Sequence, residues 1–545
     1  MKYMKLVFPV VAVIVLLLTA CAPKAEAPAV EQPAEEAAPV EEAAPVQAES
    51  HTLIIAMNID DLITLDPAWA GETTNQLVHA NTYDTLIEFA PGDYDTPLPK
   101  LAESWEAKEG AQEFTFKLKP GLTFSSGNPV TAKDVEFSWL RGKYMQNWFF
   151  DPVESFEIID DLTFTVKLQY PSADFYAIVS IPGLGILDSE VVKAQGGTMA
   201  EDAYETDGAK EWLDQNSAGS AAYIQTSWAP KSEVVLEANP KYQGAQPFFD
   251  KVIIKHVEDP TTMLQLLEKG DADLVPYLDI DLVDMAKANS NLYVDVSLTQ
   301  DINYLAMTSN CATETGPESA ALLCQKEVRQ AVVLGIDYDG LIQAVLKGYG
   351  TRAPTILPIG MPGVDPAMTQ GRDVEKAKQI LADAGYGDGI TLDLYYNQNA
   401  TRDTIAAKIK NDLAEIGITV NLNPLEATVY LDQMRAQKLP FCFGGWTPDY
   451  MDVTLWTDYY SSIEQGIAFR MSYDNPNAAA LKEKIKTTVD ADLRLQYVKD
   501  LQQIWLEDAA FTMLYQTQTI AAMSKDLKGY EYHPSRRLNI YNLYQ

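Results

Sequence analysis

Histidine is scarce in this 545-residue chain: there are four (His51, His79, His256 and His533), and no two stand four residues apart. That spacing is how one helix face presents two imidazoles to a metal, so direct metal binding is disfavoured; a metal carried by a chelator is not excluded. Bases are also outnumbered. Forty-one lysines and arginines against 77 acids leave a net charge of -36. That is the wrong sign for gripping nucleic-acid phosphates or for docking on anionic lipid. It suits solubility, and it also suits a cationic ligand. Catalytic signatures are missing. The chain has no G-x-S-x-G elbow, no H-E-x-x-H and no cysteine with an evident histidine partner. Carboxylate pairs abound, so composition alone leaves a glycosidase open. No cofactor is called for. Cysteines number four. Cys311 and Cys324 flank a Gly-Pro-containing loop and form the expected disulfide, which stabilises by about 3 kcal/mol if unstrained. Another pairing stays open on sequence grounds. Cys442, inside the apolar "PFCF", is expected to be a buried free thiol.

What is present begins at the N-terminus. Lys2 and Lys5 precede the apolar run Leu6–Ala20, which is too short for a membrane span and suits a secretion signal. "LTAC" (Leu18–Cys21) resembles the bacterial lipobox, which implies cleavage before Cys21 and lipid on that cysteine; an uncleaved anchor is the alternative. Residues 1–20 are thus read as signal peptide. Residues 21–50 are rich in Pro, Glu and Ala and lack aromatics. They cannot bury enough apolar surface to fold, and read as an extended tether. The expected location is the outer face of the cell membrane, periplasmic or at the cell surface.

The body starts near His51 and is long enough for two or three domains. "HTLIIAMN", "EFTFKLKPGLTF" (with a Pro-Gly turn inside), "LTFTVKL" and "KVIIKHV" read as strands. "TAKDVEFSWL" starts a helix, with Asp134 three residues after Thr131. From Asp373 onward the pattern becomes helix, strand, helix, strand, with glycine stops at Gly385 and Gly417. That rhythm predicts parallel pairing through crossover helices, and hence an α/β fold.

Eight patterns then fall in one order: "TLDP" (Thr64–Pro67), "LAESWE", "FKLKPGLTFSSGNPVTAKDVEFSW", "EANPKYQG", "LLEKGDADL", "EVRQAVVLGID", "KAKQILADAGYGDG" and "DLAEIGITV". Behind a lipobox, this series resembles the peptide/nickel-binding branch of ABC-transporter solute-binding proteins, from Leu53 to the C-terminus. The resemblance implies the large, type II periplasmic-binding-protein fold: two α/β lobes, two hinge strands and a ligand cleft between the lobes. Lobe I would hold residues 51–298 with an inserted subdomain at about 75–190, lobe II residues 299–514, and residues 515–545 would return to lobe I. One departure stands out: "GSAAY" (Gly219–Tyr223) replaces the family's Gly-Thr-Gly-Pro-Tyr.

The resemblance also implies a site. "GGWTPDYMD" matches the family's Gly-Trp-x-x-Asp loop at Gly445, Trp446 and Asp449, with Thr447 between. In peptide-binding relatives the matching aspartate holds the ligand's α-ammonium; the other reading of Asp449 is a turn residue. Asp452 is expected to be a turn residue or helix cap. Arg402, in "QNATRD", matches a dipeptide-binding arginine with spacing one residue off, and suits a carboxylate. Tyr304 is expected to line the cleft from a hinge strand. Asn58 and Ile59, after the first strand, would meet the ligand from the other lobe. The function implied is capture of di- or oligopeptides and delivery to an ABC permease by a monomer. The alternatives are the same fold on a nickel chelate, an oligosaccharide or another cationic solute, a secreted hydrolase, and a surface receptor for a macromolecule.

Overall fold

The computed structural model describes residues 51–69, 71–108, 110–309, 318–534 and 538–545. The expected signal peptide, the tether with Cys21, and Cys311 lie outside them. Cys324 is disulfide-bonded and Cys442 is a buried free thiol.

Strand β1 (Thr52–Met57) alternates at its start and is fully buried at its end. Strands β2 (Ile87–Glu88) and β3 (Leu98–Pro99) form a small ribbon. β4 (Ala102–Ala107), β5 (Glu113–Leu118), β6 (Val153–Ile158) and β7 (Thr163–Leu168) make a separate antiparallel sheet in the order β4-β5-β7-β6. Period-2 alternation puts Phe114, Phe116 and Leu118 of β5 on its buried face. On the other face the Thr115 and Thr165 hydroxyls meet at 2.9 Å. The helix Ala132–Tyr144 begins where the Thr131–Asp134 pair predicts: the Asp134 carboxylate accepts the Thr131 N–H at 2.9 Å and its hydroxyl at 2.7 Å.

The remaining strands are β8 (Tyr223–Ala229), β9 (Glu233–Ala238), β10 (Lys251–His256), β11 (Leu274–Val275), β12 (Leu292–Met307), β13 (Gly350–Thr351), β14 (Ile390–Asn397), β15 (Ile418–Leu425), β16 (Phe441–Trp446) and β17 (Phe511–Ser524). With β1 they form one eleven-stranded sheet, ordered β15-β14-β16-β12-β17-β11-β1-β10-β9-β8, with β13 on β17. The predicted crossover is present. β14 and β15 run parallel from Ile390↔Ile418 to Asn397↔Leu425, joined by the helix Ala400–Ala414. Ile405, Ile409 and Leu413 repeat every four residues and bury that helix against the sheet. Gly417, at φ +87°, provides the left-handed turn that ends it. The fold is mixed α/β, as expected.

Strands β12 and β17 are the two long crossings. They pair antiparallel from Leu292↔Ser524 to Ala306↔Phe511, with a register break between Leu298 and Ile302. Gln516, fully buried, closes that break. Its amide N donates to the carbonyls of Thr299 at 2.6 Å and Ile359 at 3.0 Å, and its Oε1 accepts the Ile359 N–H at 2.9 Å.

One apolar cluster joins Phe114, Phe116 and Phe164 of the four-stranded sheet to Trp456, Tyr460 and Phe511 of the second half. Each such ring buried is worth about 1.5–3 kcal/mol. Asp66, from "TLDP", has a structural job. With Asp207 it takes the Arg141 guanidinium in paired bonds of 2.7–2.8 Å, and all three side chains are excluded from solvent. In "GSAAY" the first glycine is a steric necessity, since a Cβ on Gly219 would lie 2.0 Å from the Thr82 carbonyl oxygen. Ser220 donates to Asp84 at 2.8 Å, and Asn239 donates to the Ala221 carbonyl at 2.9 Å.

Candidate functional site

Strands β14, β15 and β16 share one direction, so their carboxyl ends, Asn397, Leu425 and Trp446, open on one side. In open α/β sheets the ligand crevice lies beyond such ends. From β14 the chain turns into the helix Ala400–Ala414, where the Asn399 side chain accepts the Arg402 N–H at 2.9 Å. This N-cap fixes Arg402 in the first turn. From β16 the chain runs through Thr447 and Asp449 to Asp452, the N-cap of the helix Val453–Ser461. Asp452 accepts the Thr454 N–H at 2.7 Å and the Arg494 guanidinium on both its oxygens, so it is a cap and an ion-pair member. Between them, the buried Tyr450 donates to Asp174 at 2.6 Å and pins the loop from inside.

Tyr304, Asn303 and Ile302 of β12 face Gly444, Gly445 and Trp446 of β16 in register. A side chain at Gly444 would put its Cβ 3.1 Å from the Tyr304 hydroxyl, so the glycine makes room for the tyrosine. Trp446 is half-buried and stacks on Tyr459, with centroids 5.2 Å apart and planes at 27°. Trp456 meets Trp446 edge-on at 5.4 Å, and Tyr460 meets Tyr304 edge-on at 5.7 Å. This is an aromatic wall. The Tyr460 hydroxyl is buried with no hydrogen-bond partner among the described residues.

Two expected charges stand at this wall. Asp449 is exposed, but the protein around its carboxyl strips away enough water to push its pKa above the usual aspartate value. Neither the Asp449 carboxylate nor the half-buried Arg402 guanidinium has a hydrogen-bond or ion-pair partner among the described residues. Burial pushes the Tyr304 hydroxyl up, while Arg470 and Arg402 pull it back. Tyr304, Gly445, Trp446, Thr447, Asp449 and Arg402 therefore share one end of the sheet. Arg470, Tyr459 and Tyr460 are additions. "SIEQGIAFR" carries no motif, and the aromatics of "TLWTDYYS" read equally well as core.

Asn58 and Ile59 are held apart from this group. Ile59 is 1% exposed within the apolar cluster of β1, β9 and β10. Its N–H donates to His256 Nδ1 at 3.2 Å and its carbonyl accepts the Leu62 N–H at 3.1 Å. Asn58 accepts the Asp60 N–H at 2.7 Å. Asp60, His256 and Glu258 also have the proximity of a metal site. The ring chemistry opposes it. Because Nδ1 accepts a backbone N–H, the neutral ring carries its proton on Nε2, which faces Glu258 at 3.4 Å and Asp60 at 3.8 Å. The nitrogen that would ligate has no free lone pair. A separate cavity of about 260 Å³ is lined by Phe89, Tyr94, Asp95, Tyr176, Asp452 and Arg494; its one cation is already spent on Asp452.

The model for bacterial extracellular solute-binding proteins, family 5, matches residues 96–465. The probable D,D-dipeptide-binding periplasmic protein of Escherichia coli (strain K12) is 28% identical over 483 residues, 86% of this chain and 90% of that one. Heme-binding protein A of Haemophilus influenzae is 26% identical over 481 residues, 83% and 84% of the two chains. The structure of HbpA2 from Haemophilus parasuis superposes with a TM-score of 0.80 at 23% identity, covering 90% of this chain and 99% of that one. The periplasmic binding-protein fold inferred from the ordered motifs is thereby established, and the chain belongs to the bacterial extracellular solute-binding proteins, family 5, the non-enzymatic binding components of ABC importers.

Proposed function

We propose that this protein captures peptides outside the membrane and passes them to an ABC permease, with Asp449 pairing the ligand's α-ammonium and Arg402 its carboxylate. The observation that carries this reading is a carboxylate and a guanidinium, both without internal partners, at the carboxyl ends of parallel strands. A peptide supplies the opposite pair. Stranded charges are costly to enclose, and charge-assisted hydrogen bonds to a zwitterion offset that cost. Trp446 and Tyr459 supply flat apolar surface that accepts varied side chains. Dipeptide-binding relatives support the peptide class. In this reading residues 51–298 with 515–545 form one lobe, carrying a subdomain at about 75–190, and residues 299–514 form the other. They close by flexing β12 and β17 at the register break. Cys21 carries the lipid, residues 21–50 are the tether, and the protein works as a monomer at the outer face of the membrane.

Native mass spectrometry of the purified chain, before and after denaturing release, tests the ligand class. A series of small masses that fragment as peptides is the expected result. A single non-peptide mass, whether a heme, a metal chelate or a sugar, would replace peptide with that solute.

A further inference from the structure

Arg470 has no role in the peptide scheme above, yet it sits at the same wall. It ends the short helix Gly466–Arg470, whose neighbours are fixed by packing. Ile467, Ala468 and Met471 are buried. Met471 Sδ lies 3.7 Å from Sγ of Cys442, the second residue of β16. Gly466 backs onto Tyr459 so closely that a Cβ would lie 2.6 Å from the Tyr459 Cα. The helix is thereby clamped between the strand that carries Trp446 and the backbone of Tyr459, whose ring stacks on that tryptophan. The guanidinium is half-buried and, like that of Arg402, makes no hydrogen bond or ion pair among the described residues. Its field reaches Tyr304, as does that of Arg402, and Tyr459, as does that of Asp449.

The nearby acids are already committed. Asp458 pairs with Lys486 at 3.3 Å, Glu464 with Lys482 at 3.6 Å, and Asp403 accepts the Tyr396 hydroxyl at 2.9 Å. Among the described residues, the wall therefore carries two guanidiniums without an ion-pair partner, Arg402 and Arg470, against one such carboxylate, Asp449. A plain zwitterionic peptide satisfies one of each and leaves a half-buried cation unpaired when the site closes, which is unfavourable. A ligand with one more carboxylate satisfies all three.

We propose that Arg470 is a specificity-determining residue that binds a second carboxylate, so that the peptides taken are those bearing an aspartyl or glutamyl side chain. The inference rests on the peptide reading, and its test separates the two. Calorimetric titration of the full chain would compare Ala-Glu with Ala-Gln, and Ala-Glu-Ala with Ala-Gln-Ala, pairs that differ in charge and barely in shape. The wild-type protein should bind the glutamyl member at least tenfold more tightly. In Arg470→Gln the ratio should fall to within twofold, chiefly through loss of glutamyl affinity. Arg470→Lys should keep part of the preference, and Arg402→Gln should weaken both members alike. Peptide binding without glutamyl preference in the wild type, or a preference that survives in Arg470→Gln, would overturn the inference and leave the peptide reading standing. No binding of any peptide would overturn both. The wild-type comparison decides even if a variant fails to fold.

Discussion

At the scale of single residues, Asp449 is a group held in an unfavourable state by its surroundings. Its carboxyl is partly stripped of water and has no cation beside it, so its pKa is raised. A carboxyl raised on folding adds stability below its unfolded pKa and loses that contribution as pH rises through the folded value. At neutral pH the ionised group therefore opposes folding. Asp449→Asn should raise the melting temperature of the empty protein at pH 7 and lose that advantage below the ordinary aspartate range. The same substitution should weaken a peptide by roughly 2–5 kcal/mol, because the ligand's ammonium is then enclosed without a partner. In the wild type, peptide affinity should fall with acidification at a higher pH than for an unperturbed aspartate. The variant should show no such dependence in calorimetry over the same range. An Asn variant that is no more stable and binds no more weakly would remove Asp449 from the site.

At the scale of elements, the site is built on caps. Asp452 begins the helix Val453–Ser461 and holds Arg494 at the same time. Asp452→Ala should cost about 3–5 kcal/mol by stranding Arg494, and about 1 kcal/mol more for the lost cap. Urea unfolding should show this as a lower midpoint, and adding Arg494→Met should recover most of it. If the single and double variants unfold alike, the pair is not coupled. Caps of this kind are local, and so was much of what could be read in advance. As helix caps and stops, Asp373, Asp452, the Thr131–Asp134 pair and Gly417 each act within four residues of themselves, and each is where the residue pattern put it. The parallel β14–β15 unit follows from such local signals. Arg470 does not, because its position depends on Met471 meeting Cys442, 29 positions away in the chain. Ile59 illustrates the opposite limit: its place just after β1 suggested a ligand contact, but the use of its N–H by His256 involves a residue 197 positions away. Contacts of that span leave no periodicity to find.

At the scale of the whole molecule, the sheet order matters most. Among the described residues, only strands β12 and β17 lead from the β14–β16 side of the sheet to the β1–β10 side, with β11 next to β17. Closure over a ligand would therefore have to twist or bend these two strands where their ladder is already interrupted. Small-angle scattering of empty and ligand-saturated protein should show a smaller radius of gyration in the loaded state; identical profiles would mean that these strands act as a rigid bridge. Gln516 sets the terms of any such motion. It is tied to both Thr299 and Ile359, so it holds the interruption to one pattern of bonds at a time. A ladder broken between Leu298 and Ile302 and stapled there by side chains, Gln516 among them, behaves as a detent rather than a spring: it favours discrete positions over a continuum. Spectroscopic labels on either side of it would then register ligand as a two-line signal, which would make this chain a ready-made reporter for the solute it carries.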